Sequence, residues 1–292
     1  MDLTVVIVNW NTRDYLEGCL RSLEAVYPWL AGGEGPLALE VVVVENASTD
    51  GSAAMVRQHF PWVRLFDIRE NLGWAGGNNQ GLKAAMGRYS LLLNPDTEVL
   101  PGSLEVLVSF MDAHPEAGAA GAKLLNPDGS LQPSCRSFPS PEGVLWEATK
   151  VSRLFPHSRR FAAYRMTWFG YDRVMEVDQP MGSALLLRRA AVDAVGLMDE
   201  GFPIFFNEVD WCYRAKQAGW RIYFVPDARI VHYGGQSTSQ VRPQAIEESH
   251  RSMVRFYEKH YRGRIPGPIF AVITWMIRYS AAGRIARAKR GR

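Results

Sequence analysis

Apolar runs alternate with amphipathic stretches through the first hundred residues. Runs of buried-strand type lie at residues 4–8, 40–44, 63–66 and 89–93. Three helices are predicted between these runs. The first covers residues 14–24, the second runs through Met55 and Val56 with N-cap candidates in residues 48–50, and the third covers residues 78–86 with Asn78 as its cap. Strand and helix in this alternation predict an α/β fold whose Rossmann-like, mostly parallel sheet is flanked by helices.

The second half of the chain is less regular. Residues 127–141 are rich in Pro, Ser and Gly and predict a loop, whereas residues 183–187 and 222–225 predict strands and residues 209–218 a helix. The sequence contains no internal repeat, and no boundary is visible before residue 240. We therefore expect one domain over residues 1–240, with halves at 1–125 and 126–240, and a C-terminal helical tail over residues 241–292.

Polar clusters follow three of the predicted strands. They are Asn9-Trp10-Asn11, Glu45-Asn46-Ala47-Ser48 and Asn94-Pro95-Asp96. Ligands on open parallel sheets bind outside the carboxyl ends of the strands. The sequence therefore predicts a ligand site where the three clusters meet.

Four features carry candidate chemistry, and each has a structural alternative. Asp96 suits a hard cation, but Asn-Pro-Asp also forms turns. Glu208 and Asp210 suit a general base and its neighbour, or they complement a helix N-terminus. His232, at a predicted strand end before two glycines, is a metal-ligand candidate or a structural histidine. The glycine-rich residues 69–81 allow backbone to approach a ligand, or simply connect two elements.

Composition narrows the class of protein. Charged residues make up 22% of the 292, and the formal net charge of +3 is too small to indicate nucleic acid as a partner. Cys19, Cys135 and Cys212 match no metal-ligand spacing and are expected to be reduced thiols of a cytoplasmic protein. The chain opens directly into the first predicted strand, so we expect no signal peptide.

The basic excess collects at the C-terminus, where no acidic residue follows Glu258. The apolar residues 269–277 are too few to span a bilayer. The basic residues that follow them are Arg278, Arg284, Arg287, Lys289, Arg290 and Arg292. An apolar segment with a tryptophan before a basic one predicts an interfacial helix on an anionic membrane surface; the alternative is a terminal helix packed on the domain.

Taken together and in this order, the motifs resemble the family 2 glycosyltransferases of the GT-A fold, and within them the rhamnosyltransferase-like branch. The resemblance covers residues 3–238. It rests on VVIVNWN at residues 5–11, VENASTDGS at 44–52, NLGWAGGN at 71–78, LLNPD at 92–96, GAKLLNPDGSLQ at 121–132, and GLMDE at 196–200 followed by NEVD at 207–210. The chain departs from the family's pattern at Glu45, which replaces an Asp, at Asn94, which replaces the first Asp of Asp-x-Asp, and at NEVD, which replaces Glu-Asp-Val-Asp.

On the donor side, the resemblance implies a divalent metal, Mg²⁺ or Mn²⁺, held by Asp96 and His232. The donor-binding residues that it carries over are Val8, Asn9, Asn11, Glu45, Asn46, Ser48, Arg69, Trp74, Gly76, Asn78, Asn94 and Asp96. Residues 1–125 then form the nucleotide-sugar half and residues 126–240 the acceptor half.

On the acceptor side, Glu208 takes the place of the family's general base, and Asp210 is the rival candidate. Asp199 and Glu200 bind acceptor hydroxyls or only shape a turn. The resemblance implies an inverting transfer of L-rhamnose from dTDP-rhamnose, with UDP-sugars open, to a glycan or lipid-linked acceptor in cell-envelope polysaccharide synthesis. We accordingly expect a cytoplasmic enzyme that is peripheral at the inner face of the membrane.

Two other classes of protein share part of this pattern. A dinucleotide-dependent oxidoreductase would carry Gly-x-Gly-x-x-Gly after the first strand, where residues 9–14 hold no glycine. The other class is a nucleotide-sugar-binding protein that has lost its catalytic base, which Glu208 in place of the usual Asp keeps open. Retained nucleotide binding without sugar transfer would identify that class.

Overall fold

Eleven strands and eleven α-helices make up the computed structural model, which describes residues 1–31 and 35–290. The strands are β1 (Leu3–Asn9), β2 (Leu39–Asn46), β3 (Arg64–Ile68), β4 (Tyr89–Leu93), β5 (Thr97–Val99), β6 (Ala117–Leu125), β7 (Cys135–Arg136), β8 (Met175–Glu176), β9 (Gln179–Pro180), β10 (Ala184–Arg188) and β11 (Arg221–His232). The helices are α1 (Arg13–Val26), α2 (Ser52–His59), α3 (Gly73–Ala84), α4 (Ser103–Ala113), α5 (Pro141–Ala148), α6 (Val151–Leu154), α7 (Arg189–Val195), α8 (Asn207–Gln217), α9 (Gln236–Gln240), α10 (Arg242–His260) and α11 (Gly267–Arg290).

One large sheet organises the chain, with strands in the order β3-β2-β1-β4-β10-β6-β11-β5 and β8 paired to β11. The strands β3, β2, β1 and β4 are parallel to one another. β10 runs antiparallel between β4 and β6, and β6 and β11 are parallel again. The buried, β-branched run of β1 suits its central position, since it is covered on both faces. The prediction of a mostly parallel sheet is therefore confirmed.

Helices cover both faces of this sheet. Successive strand residues point to opposite faces, and two apolar cores follow that period of two. Val5 and Ile7 face a core shared with α1, α2 and α4. Val6 faces the other core, together with side chains of α3, α7 and α8. Cys19 and Cys212 are buried in these two cores and form no disulfide, as expected for reduced thiols.

The glycine-rich helix α3 begins at Gly73, so the prediction that Asn78 caps it is wrong. The chain becomes helical early because the first backbone N–H groups of α3 donate to the carbonyl oxygen of Pro203 at 2.6 and 3.2 Å. The glycines also allow close packing on the sheet. A Cβ added to Gly77 would lie only 2.5 Å from Cγ1 of Val8, so no larger residue fits there.

Two further predictions need correction. Helix α2 begins at Ser52 after Gly51, which has a φ of +82°, so none of residues 48–50 is its N-cap; Asp50 still accepts a hydrogen bond from the Ser52 N–H at 3.1 Å. Residues 127–141, predicted as loop, contain the short strand β7 and the start of α5. Strand β6 was not predicted because its sequence, AGAAGAKLL, consists largely of small residues rather than β-branched ones.

The last two helices pack on the domain and on each other. Phe256 of α10 joins a buried cluster with Phe202 and Val209. Ile273 and Ile277 of α11 pack against residues of α10 and α5. Within the described residues, no helix has an apolar stretch long enough to cross a membrane. The side chains of the basic residues from position 284 onward lie outside the described part of the chain; these residues are Arg284, Arg287, Lys289, Arg290 and Arg292.

Candidate active site

A cluster of polar side chains joins the carboxyl ends of β1 and β2. Asn9, which is fully buried, donates its amide to both carboxylate oxygens of Glu45 at 3.1 and 3.0 Å. The Ser48 hydroxyl donates to Glu45 and accepts a hydrogen bond from the Asn11 N–H at 2.8 Å. Asn11 and Ala47 hold φ angles of +51° and +61°. Such left-handed backbone costs energy for residues with a side chain and is concentrated at functional sites.

The loop that leads into α3, residues 71–74, is called the donor loop below. It is tied to this cluster through Asn46, which hydrogen-bonds the backbone of residues 72 and 73. The next residue is Trp74, whose indole N–H donates to Oδ1 of Asn94 at 3.1 Å. The Asn94 amide in turn donates to the Ser183 hydroxyl at 3.2 Å. Hydrogen bonds therefore link the first turn of α3 to the residue that follows β4 and, through it, to the residue that precedes β10.

The remaining donor-side predictions occupy different surroundings. Val8 and Asn78 are buried beside this loop. Gly76 lies close to Glu200, since a Cβ added there would be 3.8 Å from the carboxyl carbon of Glu200. Arg69 is exposed just beyond β3, and no hydrogen bond or ion pair within the described residues joins it to the rest of the site.

Asp96 and His232 face each other because β5 pairs with β11, with Thr97 opposite His232. Both side chains are nearly buried, and Oδ1 of Asp96 lies 3.5 Å from Nε2 of His232. Among the described residues, this buried Nε2 has no hydrogen-bond partner. A buried polar atom without a partner requires an explanation, and a carboxylate with an imidazole nitrogen is a ligand set that divalent cations accept. The two residues therefore fit a cation site.

Glu208 lies in the first turn of α8, beside the donor loop. A Cβ added to Gly182 would lie 3.4 Å from Cβ of Glu208 and 3.1 Å from the Trp74 ring, so Gly182 leaves room for both side chains. Burial raises the pKa of Glu208 to about 7, against the opposing effect of nearby backbone N–H groups and of the Arg136 charge. A carboxylate with that pKa is matched to general-base catalysis at neutral pH.

Asp210, two residues further along α8, is fully buried among basic side chains. Its Oδ2 accepts a hydrogen bond from Arg214 at 2.8 Å, and its Oδ1 accepts from His260 and Lys259, both at 2.7 Å. Burial acts to raise the pKa of Asp210, but the hydrogen bonds from His260, Lys259 and Arg214 lower it to about 2. Oδ1 thus docks α10 onto α8, while Oδ2 is held by Arg214 of α8 itself. With both oxygens engaged, this geometry favours Glu208 over Asp210 as the base.

The two residues predicted to bind the acceptor, Asp199 and Glu200, also have different surroundings. Asp199 accepts a hydrogen bond from the Gly201 N–H at 2.8 Å and pairs with Lys259 at 2.7 Å. These contacts favour the turn-shaping alternative for Asp199. Glu200 is exposed and accepts a hydrogen bond from Asn79 of α3 at 2.8 Å.

Two side chains near the site escaped the sequence analysis because they lie in the stretch taken as loop. Arg136 of β7 carries its charge near Glu208, with its guanidinium 5.8 Å from the centroid of the Tyr164 ring. Gln132 contacts His232, and its Oε1 lies 2.6 Å from Nδ1 of that ring. The spacing of apolar residues predicts helices and strands but does not indicate which polar residues of a loop are functional. It therefore could not identify these two side chains.

The family model of glycosyl transferase family 2 matches residues 4–169. The chain is a family 2 glycosyltransferase. It is 30% identical, over 97% of its length and 91% of the relative, to the N-acetylglucosaminyl-diphospho-decaprenol L-rhamnosyltransferase of Mycobacterium tuberculosis, which confirms the rhamnosyltransferase branch. The enzyme class is confirmed as well, and the oxidoreductase alternative is excluded.

Solved structures support the fold of this glycosyltransferase. The mannosyltransferase PcManGT from Pyrobaculum calidifontis, in complex with GDP-Man and Mn²⁺, is similar with a TM-score of 0.61 at 20% identity, over 99% of this chain and 75% of that one. GalNAc-T7 with UDP, GalNAc and Mn²⁺ is similar with a TM-score of 0.59 at 16% identity, over 88% of this chain and 48% of that one. These likenesses confirm the GT-A fold.

Proposed function

We propose that this enzyme is an inverting, metal-dependent glycosyltransferase that moves L-rhamnose from dTDP-rhamnose to a lipid-linked, diphosphate-bearing acceptor in cell-envelope glycan synthesis. The observation that carries the proposal is the Asp96–His232 pair, whose buried Nε2 has no partner among the described residues. The relative from Mycobacterium tuberculosis bears the name of an L-rhamnosyltransferase acting on N-acetylglucosaminyl-diphospho-decaprenol and aligns over nearly the whole chain. A UDP-sugar is the alternative donor, because Glu45 replaces the usual Asp of the nucleoside turn.

Asp96 and His232 are proposed to hold a divalent cation, Mg²⁺ or Mn²⁺, through a carboxylate oxygen and a neutral imidazole nitrogen. Such a cation neutralises the negative charge that develops on a diphosphate leaving group. In the described part of the chain, no group of three His, Cys, Asp or Glu side chains gathers around one point. We propose that oxygens of the donor diphosphate and water would complete the coordination.

Glu208 is proposed to accept the proton of the attacking acceptor hydroxyl. The bond that forms joins the acceptor oxygen to the anomeric carbon, and the bond that breaks joins that carbon to the diphosphate oxygen. A single displacement of this kind inverts the anomeric centre. The raised pKa of Glu208, about 7, supports the role because the carboxylate is then basic enough to take the proton and is substantially ionised at neutral pH.

On the acceptor side, we assign Arg136 to the charged part of the acceptor. A half-buried guanidinium beside the base suits a diphosphate group, which a planar fork of N–H donors binds well. Glu200, which is exposed and held by Asn79, remains the candidate for an acceptor hydroxyl.

A lipid-linked acceptor calls for contact with a membrane, and α11 offers a surface for it. While Ile273 and Ile277 are packed, Trp275 on another face of the helix is 62% exposed. Further exposed apolar side chains are Ile269, Val272 and Tyr279 in α11 and Leu154 and Phe155 at the end of α6. Tryptophan and other apolar side chains near basic residues suit the interface of an anionic leaflet, so we propose peripheral attachment there.

Thermal melting with nucleotides tests the donor site. We expect dTDP with Mn²⁺ to raise the melting temperature, because a ligand at 100 times its Kd stabilises the folded state by about 2.7 kcal/mol. Asp96→Ala should remove the metal-dependent part of the shift, whereas Asp193→Ala, at an exposed position on α7, should leave it intact. A protein that responds to no nucleoside diphosphate, or that responds equally with and without metal, would contradict the proposal.

Vesicle sedimentation tests the membrane surface. We expect the enzyme to sediment with phosphatidylglycerol-containing vesicles, and Trp275→Ser to weaken that binding about 10–100-fold, since burying one large apolar side chain contributes about 1.5–3 kcal/mol. Met86→Ser serves as the control, because Met86 is equally exposed at 62% but lies beyond α3. Equal losses for both variants, or no sedimentation of the wild-type enzyme, would argue against this surface.

A further inference from the structure

The loop at residues 126–132 has no role in the site as described so far, although it adjoins His232. It is a tight turn in which the Gly129 N–H donates to the carbonyl oxygen of Asn126 at 2.8 Å, with Gly129 at a φ of +79°. An isolated bridge between Leu125 and Leu131 closes it after β6. Asn-Pro-Asp-Gly supplies the residue types that such a turn prefers. The turn alone, however, does not explain the polar side chains that follow.

Those side chains form one connected series of hydrogen bonds that ends on His232. Ser130 donates its hydroxyl and its N–H to Oδ1 of Asp128 at 2.6 and 2.9 Å. The Ser130 oxygen accepts from the Asn126 amide at 2.9 Å. Oδ1 of Asn126 accepts from Nε2 of Gln132 at 3.0 Å. Finally, Oε1 of Gln132 lies 2.6 Å from Nδ1 of His232.

The direction of each hydrogen bond follows from the one before it. A carboxylate only accepts, and the hydrogen bonds from Ser130 lower the pKa of Asp128, so the Ser130 hydroxyl must donate to it. Asn126 therefore turns its NH₂ group to Ser130 and its oxygen to Gln132. Gln132 donates its NH₂ group to that oxygen and also to the His232 carbonyl oxygen at 3.1 Å. Its own oxygen is left to face the His232 ring.

An amide oxygen at Nδ1 requires that Nδ1 carry the proton. In a neutral imidazole the other nitrogen, Nε2, then has a free lone pair. That nitrogen is the buried atom that faces Asp96 at 3.5 Å. The opposite tautomer would set two acceptors against each other at Nδ1 and would aim an N–H where a cation should bind.

We propose that the loop at residues 126–132 fixes the tautomer of His232 through Gln132, and so leaves Nε2 free to bind a divalent cation together with Asp96. This inference rests on the metal site of the proposed function. Gln132 is a positioning residue, since it acts on the cation only through the His232 ring. Outer partners of this kind hold metal-ligating histidines in orientation, and their loss typically costs 10–100-fold in metal affinity.

The tautomer can be measured without metal. Two-bond ¹H–¹⁵N correlation spectra of the ¹⁵N-labelled full chain distinguish the two imidazole tautomers, and His232→Gln identifies the signals of this ring. We expect the Nδ1–H form in the wild-type protein at neutral pH. Gln132→Ala should give a mixture or the Nε2–H form, whereas Gln132→Glu, whose carboxylate also accepts from Nδ1–H, should retain the wild-type pattern. A wild-type ring in the Nε2–H form would overturn the inference.

Mn²⁺ affinity provides the second readout, measured by electron paramagnetic resonance of free Mn²⁺ in the presence of dTDP. We expect Gln132→Ala to weaken Mn²⁺ binding about 10–100-fold and Gln132→Glu to change it by only a few-fold. Gln179→Ala is the control, because the Gln179 side chain likewise donates to a backbone carbonyl oxygen, that of Ser137, and forms no hydrogen bond with His232 among the described residues. If Gln132→Ala lowers the melting temperature but leaves the tautomer and the affinity unchanged, Gln132 is only structural and the inference fails.

Two further arms keep the result interpretable. Ser130→Ala, at an exposed position, interrupts the series three hydrogen bonds from His232 and replaces Gln132→Ala if that variant does not fold. An unchanged tautomer in Ser130→Ala would count against the relay through Asn126. If the wild-type ring is in the Nδ1–H form but the protein binds no Mn²⁺, the metal site of the proposed function falls while the fixing of the tautomer stands.

Discussion

Glu208→Gln is expected to lower kcat for sugar transfer by about 10²–10⁴-fold, the usual contribution of a positioned general base. The amide keeps the size of the side chain but cannot accept the proton of the attacking hydroxyl. Because Glu208 is assigned neither to the donor nor to the metal, stabilisation by nucleotide and Mn²⁺ should persist in the variant. The measurement is the initial rate of transfer at saturating donor, with Glu247→Gln, on an exposed part of α10, as the control.

The pH profile adds a signature to the same prediction. Since burial raises the pKa of Glu208 to about 7, the base is protonated and inactive below that value. In the wild-type enzyme, kcat/KM should therefore rise about tenfold per pH unit below pH 7 and level off above it. Glu208→Gln should lose this limb. If Glu208→Gln keeps more than a tenth of the wild-type rate, another residue must be the base. If the wild-type protein binds nucleotide but transfers no sugar, the protein is better described by the binding-protein alternative.

Asp210→Ala is expected to act on stability rather than on chemistry. Removing one partner of a buried ion cluster typically costs about 3–5 kcal/mol, and here it would leave Arg214, Lys259 and His260 without their shared carboxylate. For a domain of this size the melting temperature should fall by roughly 10 °C. Calorimetry checks the loss, while activity per folded molecule at low temperature should remain within about tenfold of wild type, well short of the loss from removing a base.

The dependence of stability on pH provides a second test of this prediction. The folded-state pKa of Asp210 is lowered to about 2, below the ordinary value of 3.8, so its contribution is complete above pH 4 and disappears as the pH falls toward 2. Asp210→Ala should lack that dependence. An Asp210→Ala protein with unchanged melting and no activity would instead identify Asp210 as the base.

The contrast between Glu208 and Asp210 follows from helix geometry. Two residues advance an α-helix by roughly 200°, so side chains at i and i+2 point to nearly opposite sides. In NEVD one carboxylate thus faces the donor loop and the other faces α10. The sequence allowed this conclusion in principle, but the basic side chains that surround Asp210 lie up to 50 residues away along the chain. The residues next to Asp210 in the sequence give no sign of them.

Much of the donor side was predictable for a physical reason. Parallel strands bring their carboxyl ends to one edge, so polar residues after β1, β2 and β4 had to meet. The pairing of Asp96 with His232 depends on β5 lying antiparallel to β11, and β5 is only three residues long. The spacing of apolar residues cannot predict so short a strand, so only the family resemblance indicated that Asp96 and His232 lie together. The early start of α3 was unpredictable because its cap, the Pro203 carbonyl oxygen, comes from a remote turn.

That remote turn, residues 199–203, also determines where a catalytic fragment of this enzyme can end. Asp199 at its start binds Lys259 of α10, and Pro203 at its end supports the first turn of the donor helix. Cutting the chain near residue 240 would therefore remove Lys259 from Asp199 and both Lys259 and His260 from Asp210, and would loosen the turn that supports Trp74. A fragment intended for crystallisation should therefore retain α10, and also α11, whose Ile273 and Ile277 pack against α10 and α5.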